Sequence, residues 1–259
     1  MASVIERPGR GRRKPCSSAE WQMRVELAAC YRLMAIYDMV DMIYNHISAR
    51  VPGPEEHFLL NPYGMLYEEI TASCLIKVDL AGTEVFNPNR DYRINPAGFV
   101  IHGAIHEARP EIGCVVHTHT PAGMAVSALK CGLLPLTQTA MRFASIGYHD
   151  YEGVVLEMDE RRRLLANLGD NDVMILRNHG LLAVGRTIAE AFNTIYRLER
   201  SCRAQIMAMS CNAELIVPPR EVIEKTNHLY RPDVRRRYGL LEWPAMLRML
   251  DRRDPSYRD

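Results

Sequence analysis

Ile112-Gly113-Cys114-Val115-Val116-His117-Thr118-His119 joins an apolar run to two histidines at one-residue spacing. A short apolar run of this kind reads as a buried strand. Side chains two apart on a strand leave the same face, so His117 and His119 project together from its end. A second apolar run, Val173-Met174-Ile175-Leu176, ends in Arg177-Asn178-His179-Gly180. Three histidines at two strand ends make a candidate centre for one divalent metal ion, Zn²⁺, Fe²⁺ or Mn²⁺, with positions open to water or substrate. On spacing alone, the competing reading of His117 and His119 is a pair of hydrogen-bonded polar residues at a strand end.

The chain of 259 residues is long enough for one large domain with a full core. Apolar residues make up 47% and charged residues 24%, the composition of a globular, water-soluble chain. A formal charge of +1 supplies no basic field, which argues against nucleic acid as a partner. No apolar run is long enough to span a membrane. The cysteines Cys16, Cys30, Cys74, Cys114, Cys131, Cys202 and Cys211 are odd in number and never spaced Cys-x-x-Cys. They read as reduced thiols of a cytoplasmic protein. Residues 1–17 carry Arg7, Arg10, Arg12, Arg13 and Lys14 without the apolar segment of a secretion signal, which predicts a disordered basic arm.

Hydroxyl caps and apolar periodicity predict helices over about 18–37, 97–108, 121–129 and 159–168, and a longest helix that begins after Thr187. A short helix is expected near 38–44. Strands are expected over 45–50, 57–60, 76–80, 112–117, 173–176 and 181–184, with extended structure in 148–156. Helices and strands alternate, with at least one antiparallel pairing, so a mixed sheet flanked by helices is expected. Glu199, Arg200 and Arg203 read as the solvated face of the longest helix.

Over residues 20–214 the chain resembles the class II aldolase/adducin family. The resemblance is carried by the segment 45–50, the turn Asn61-Pro62-Tyr63-Gly64, Thr71-Ala72-Ser73 with Lys77-Val78-Asp79, Ala108-Arg109-Pro110, His117-Thr118-His119 and Arg177-Asn178-His179-Gly180. It implies an α/β fold of three layers, α/β/α, around a mixed, largely antiparallel central sheet. It also implies a homotetramer with sites at subunit contacts, and a domain over 18–215. By analogy, the tail 216–259, with Tyr230, Trp243 and Tyr257, is expected to pack on a neighbouring subunit. In the aldolases of this family the metal sits on three histidines, here matching His117, His119 and His179, and a glutamate moves the proton. At the position of that glutamate this chain has Gly98, and the two preceding phosphate-binding serines are Pro96 and Ala97. Proline has no N–H to donate and alanine no hydroxyl, so an anion loses its partners there. Other phrases, among them Tyr148-His149-Asp150-Tyr151, resemble the adducin head, a non-enzymatic module.

Asn45 and Ser48 match a substrate-cradling segment, and Gly64 matches a glycine that lets backbone approach a ligand. For these three, plain turn chemistry is an equal alternative. His102 and His106 stand at i and i+4 on the 97–108 helix; His102, four residues beyond Gly98, is expected at the site and His106 is not. Tyr148 or His149 is expected to replace the missing glutamate as catalytic proton carrier, against the alternative of a solvated loop. Arg142 offers bidentate pairing to a substrate carboxylate. The function expected is a metal-dependent lyase acting on a small, unphosphorylated hydroxy, keto or carboxylated molecule, by retro-aldol cleavage or decarboxylation. The alternatives are an Fe²⁺-dependent oxygenase on the same histidines and a non-enzymatic adducin-like assembly module. A pocket filled by Phe99 or Met141 would favour the module.

Overall fold

In the computed structural model, which describes residues 16–153 and 158–259, the first helix α1 (Ser18–Ile36) starts where its hydroxyl cap predicts. Ser17 Oγ accepts the Glu20 N–H at 3.1 Å. The chain does not form a helix over 38–44. Asp38 and Met42 adopt φ of 56° and 47°, and a residue in the left-handed region breaks a right-handed helix. Extended chain then resumes as β1 (His46–Arg50), β2 (His57–Leu60), β3 (Ile76–Asp79) and β4 (Glu84–Phe86).

Pro96 begins α2 (Pro96–Ala108), followed by β5 (Cys114–Thr118), α3 (Pro121–Ala128), α4 (Gln138–Met141) and β6 (Gly147–His149). Next come α5 (Met158–Leu168), β7 (Val173–Leu176), β8 (Gly180–Gly185) and α6 (Ile188–Ser210), the last capped by Thr187 Oγ1 on the Glu190 N–H. Extended structure expected at 154–156 falls outside the described residues, as does the basic arm through residue 15. Among the described residues, no helix is long and apolar enough to cross a membrane.

The strands form one eight-stranded sheet in the order β4-β3-β2-β1-β5-β8-β7-β6. Every pairing is antiparallel except that of β6 with β7. The sheet is buried on both faces, so its central strands read as unbroken apolar runs. Strand alternation sends Ile47, Ala49, Cys114, Val116, Leu181 and Ala183 into the larger core, beneath α1 and α6. Val115, Leu182 and Val184 face the opposite core with Ile101 and Ile105 of α2 and Leu164 and Leu168 of α5. The result is the three-layer α/β/α arrangement.

The C-terminal segment returns to its own chain. Trp243 and Leu250 of α8 (Trp243–Arg253) and the fully buried Tyr257 join the larger core. The Ala72 and Ser73 N–H groups donate to the Tyr257 and Asp259 carbonyls. Trp243 and Tyr257 therefore pack within their own chain. The helix α7 (Arg220–Tyr230) carries no buried residue.

Candidate metal centre

His117 lies on β5, on the face that Val115 presents to α2 and α5, and His119 follows one residue after the strand ends. His179 comes from the β7–β8 connection. That turn is tight because Asn178 adopts φ 55°, a conformation asparagine tolerates better than most residues. The three Nε2 atoms converge: His117 to His119 at 2.8 Å, His119 to His179 at 2.9 Å and His117 to His179 at 3.3 Å.

A hydrogen bond between His117 and His119 does not account for their approach. The His117 Nδ1–H donates to the Leu181 carbonyl at 2.9 Å, and the His119 Nδ1–H donates to Asp41 Oδ2 at 3.1 Å. Both acceptors lack a hydrogen, so each neutral ring carries its single proton on Nδ1 and a bare lone pair on Nε2. Burial, reinforced by His46, His179 and His119, holds His117 well below the usual histidine range. His179 is pushed down to about 4, by burial first and by His119 second. Imidazole nitrogens converging on one point are a ligand set for a divalent cation. The contacts from Leu181 and Asp41 orient the rings from behind. His117, His119 and His179 therefore form a three-histidine cluster consistent with one divalent metal ion.

The loop 38–44 exists to bring Asp41 to His119. It is tied down by Arg203, which donates to the Asp38 carbonyl at 3.0 Å and to Glu199 Oε1 at 2.6 Å. Glu199 is 1% exposed and accepts the Thr120 hydroxyl, directly after His119. The expectation of a solvated face holds for Arg200, which is exposed, but not for Glu199, a buried brace between α6 and the histidine segment.

The substrate candidates divide. Asn45 is 2% exposed and neither end of its amide has a protein partner, so it is a buried polar group ready for a ligand. Ser48 is fully buried and bonded on both sides by histidines, His102 Nδ1 at 2.7 Å and His106 Nε2 at 2.8 Å, so it is a connector and not a cradle. Gly64 has φ 113°, and a Cβ there would meet the Tyr92 ring at 2.9 Å; an aromatic ring, not a ligand, makes the close approach. Gly98 is covered by His46, whose Cδ2 would lie 2.6 Å from a Cβ at that position. His102 reaches the site only through His46, Nε2 to Nδ1 at 2.9 Å. Arg142 sits at the far end of the sheet. It donates to Asn193 Oδ1 and Thr194 Oγ1, in a cavity shared with Asp172, Arg109 and Arg186.

The two proton-carrier candidates leave opposite faces of β6. The Tyr148 hydroxyl accepts the Leu133 N–H at 3.1 Å and the ring stacks under Arg177, so it is a structural residue turned away from the cluster. His149 lines a small cleft with Ile101, Tyr151, Glu160, Arg177 and His179. Its Nδ1 accepts from Asn167 at 2.9 Å, and its Nε2 stands 3.6 Å from Glu160. Phe99 and Met141 do not fill the centre. Phe99 packs in a side core with Phe58, Leu60, Ile76 and Val78, and Met141 sits on α4 between α6 and α7.

The profile of the Class II Aldolase and Adducin N-terminal domain matches residues 25–206. The chain belongs to this family. A candidate class 2 aldolase of Pseudomonas aeruginosa is 49% identical over 246 residues, covering 93% of this chain and 94% of that one. The crystal structure of an aldolase II superfamily protein from Pseudomonas syringae superposes with a TM-score of 0.88 at 51% identity, over 94% of this chain and 98% of that one. Alpha-adducin of Rattus norvegicus is 46% identical over 189 residues, which span 73% of this chain but 26% of that longer protein.

Sequence reasoning passed over His46, Asp41 and Glu160. A signal for His46 was present: His46 and Ser48 alternate on one strand face, and His102 and His106 repeat at i and i+4 on one helix face. Two such rows match when the helix packs across the strand. No local pattern marks Asp41.

Proposed function

We propose that this chain is a metal-dependent lyase that breaks a carbon–carbon bond in a small, unphosphorylated, oxygen-rich substrate. The observation that carries the reading is the meeting of three histidine Nε2 atoms within 3.3 Å of one another. His117, His119 and His179 would hold the cation. When bound, it supplies Lewis acidity toward a carbonyl or carboxylate oxygen. Asn45, one residue before β1, has a buried amide without a protein partner, which suits a hydroxyl or carbonyl of the substrate. By the family resemblance, Pro96 and Ala97 replace two phosphate-binding serines, which favours a substrate without phosphate. A small cleft lies beside His179, with His149 and Glu160 in its wall.

The test is turnover of hydroxy-keto acids and carboxylated aromatics by protein loaded separately with Zn²⁺, Mn²⁺ and Fe²⁺. Released carbon dioxide, released aldehyde and oxygen uptake are followed with and without air. Anaerobic product formation supports the lyase. Turnover only with iron and oxygen replaces it with an oxygenase, and no turnover with any metal favours an adducin-like module. The same reading takes the chain as a homotetramer. Support comes from α7 and the segment before it, which expose Ile216, Val217, Val222 and Leu229. Light scattering that returns a monomer mass removes that part.

A further inference from the structure

A chain of four side chains runs from the metal centre into the layer between β1 and α2. His106 Nδ1 lies 3.3 Å from the Ile112 carbonyl, and His106 Nε2 lies 2.8 Å from Ser48 Oγ. Ser48 Oγ lies 2.7 Å from His102 Nδ1, and His102 Nε2 lies 2.9 Å from His46 Nδ1. All four residues are at least nine-tenths buried.

The Ile112 carbonyl sets the direction of every bond, because it only accepts. His106 must donate to it through Nδ1–H, so His106 Nε2 accepts the Ser48 hydroxyl. Ser48 Oγ then accepts His102 Nδ1–H, and His102 Nε2 accepts His46 Nδ1–H. The chain ends on a His46 Nε2 that carries no proton.

That nitrogen stands where a side chain is missing. A Cβ on Gly98 would lie 2.8 Å from His46 Nε2 and 2.6 Å from its Cδ2, so the imidazole fills the space that any larger residue at 98 would need. His46 is paired with His117 in the β1–β5 register, and their ring centroids are 5.0 Å apart.

The geometry points to His46 Nε2 as the proton acceptor of the centre, in place of the carboxylate absent at position 98, with His102, Ser48 and His106 as positioning residues that hold its tautomer. The assignment rests on the lyase reading. In the step it performs, a C–H bond next to a substrate carbonyl breaks and an N–H bond forms at Nε2. The electron pair left on carbon moves to the carbonyl oxygen, and reversal returns the proton to carbon.

Two measurements test it. Neutron diffraction from zinc-loaded wild-type crystals is expected to show deuterium on His46 Nδ1 and none on Nε2; deuterium on Nε2 overturns the assignment. Zinc-loaded protein is then incubated with dihydroxyacetone in D2O, and loss of the C–H signal is followed by proton NMR. His46→Asn keeps a donor for His102 but has no atom at the Nε2 position, and is expected to exchange about 100-fold more slowly than wild type with its zinc content unchanged. Ser48→Ala cuts the chain without touching His46 and is expected to slow exchange about tenfold. Wild-type exchange with both variants equally fast overturns the role of His46 and leaves the lyase reading standing. Exchange by none of the three proteins overturns the assignment, while the turnover measurements with each metal decide the lyase reading separately.

Discussion

His117 and His119 face each other across 2.8 Å, Nε2 to Nε2, while each spends its one proton on an acceptor behind it. Two neutral imidazoles so arranged share no hydrogen bond, and a cation relieves their repulsion. The purified protein is therefore expected to carry about one equivalent of divalent metal per chain, and His117→Ala to lose it. Elemental analysis by mass spectrometry checks this; equal metal in both proteins removes the centre.

Asp41 holds His119 in the ligating tautomer. Asp41→Asn keeps the volume but not the charge, and is expected to weaken zinc affinity by about 10–100-fold. Competition with a chromophoric chelator measures the change. Circular dichroism should be unaltered, because Asp41 lies in a loop.

Gly98 and His46 compete for one volume. Gly98→Ala pushes a methyl into the His46 ring and is expected to destabilise the protein by about 1–3 kcal/mol in denaturant unfolding. Combined with His46→Ala, the penalty from position 98 should largely vanish, since the methyl then has room. Strict additivity of the two changes would place the clash elsewhere.

His106 is fully buried against Phe58 and is pushed down to about 3, mainly by burial and secondly by Arg50. Its unfolded-state value is near 6.5, so the unfolded chain binds the extra proton first as pH falls. Stability from this ring is whole above pH 6.5 and drains away toward pH 3, at up to about 1.4 kcal/mol per pH unit. Replacing His106 with Gln should flatten the acid limb of stability against pH by about one proton. Chelator-treated protein unfolded in urea at several pH values gives the slope.

Glu199 accepts from Thr120 and Arg203 while almost wholly buried. Glu199→Ala leaves the buried Thr120 hydroxyl without its acceptor, takes one of Arg203's partners, and is expected to lower stability by about 1–3 kcal/mol. Metal affinity should fall with it, because the same brace anchors the loop that carries Asp41. Unfolding curves and zinc titration of one preparation read both effects.

Much of this molecule is written in local sequence. The caps at Ser17 and Thr187, the start of α2 at Pro96 and the apolar runs of β5 and β7 are each visible within a few residues, because helix and strand periods act over that range. The ligand trio was legible for the same reason: strand periodicity aims His117 and His119 together, and a tight turn delivers His179. The tertiary structure alone decided what surrounds them. Which ring covers Gly98, which carboxylate stands behind His119, whether Glu199 meets water or Thr120, and that Arg142 lies at the opposite end of the sheet all depend on which strand neighbours which helix. Those are contacts between residues dozens of positions apart, set by how two faces of one sheet are covered, and no window along the chain contains them.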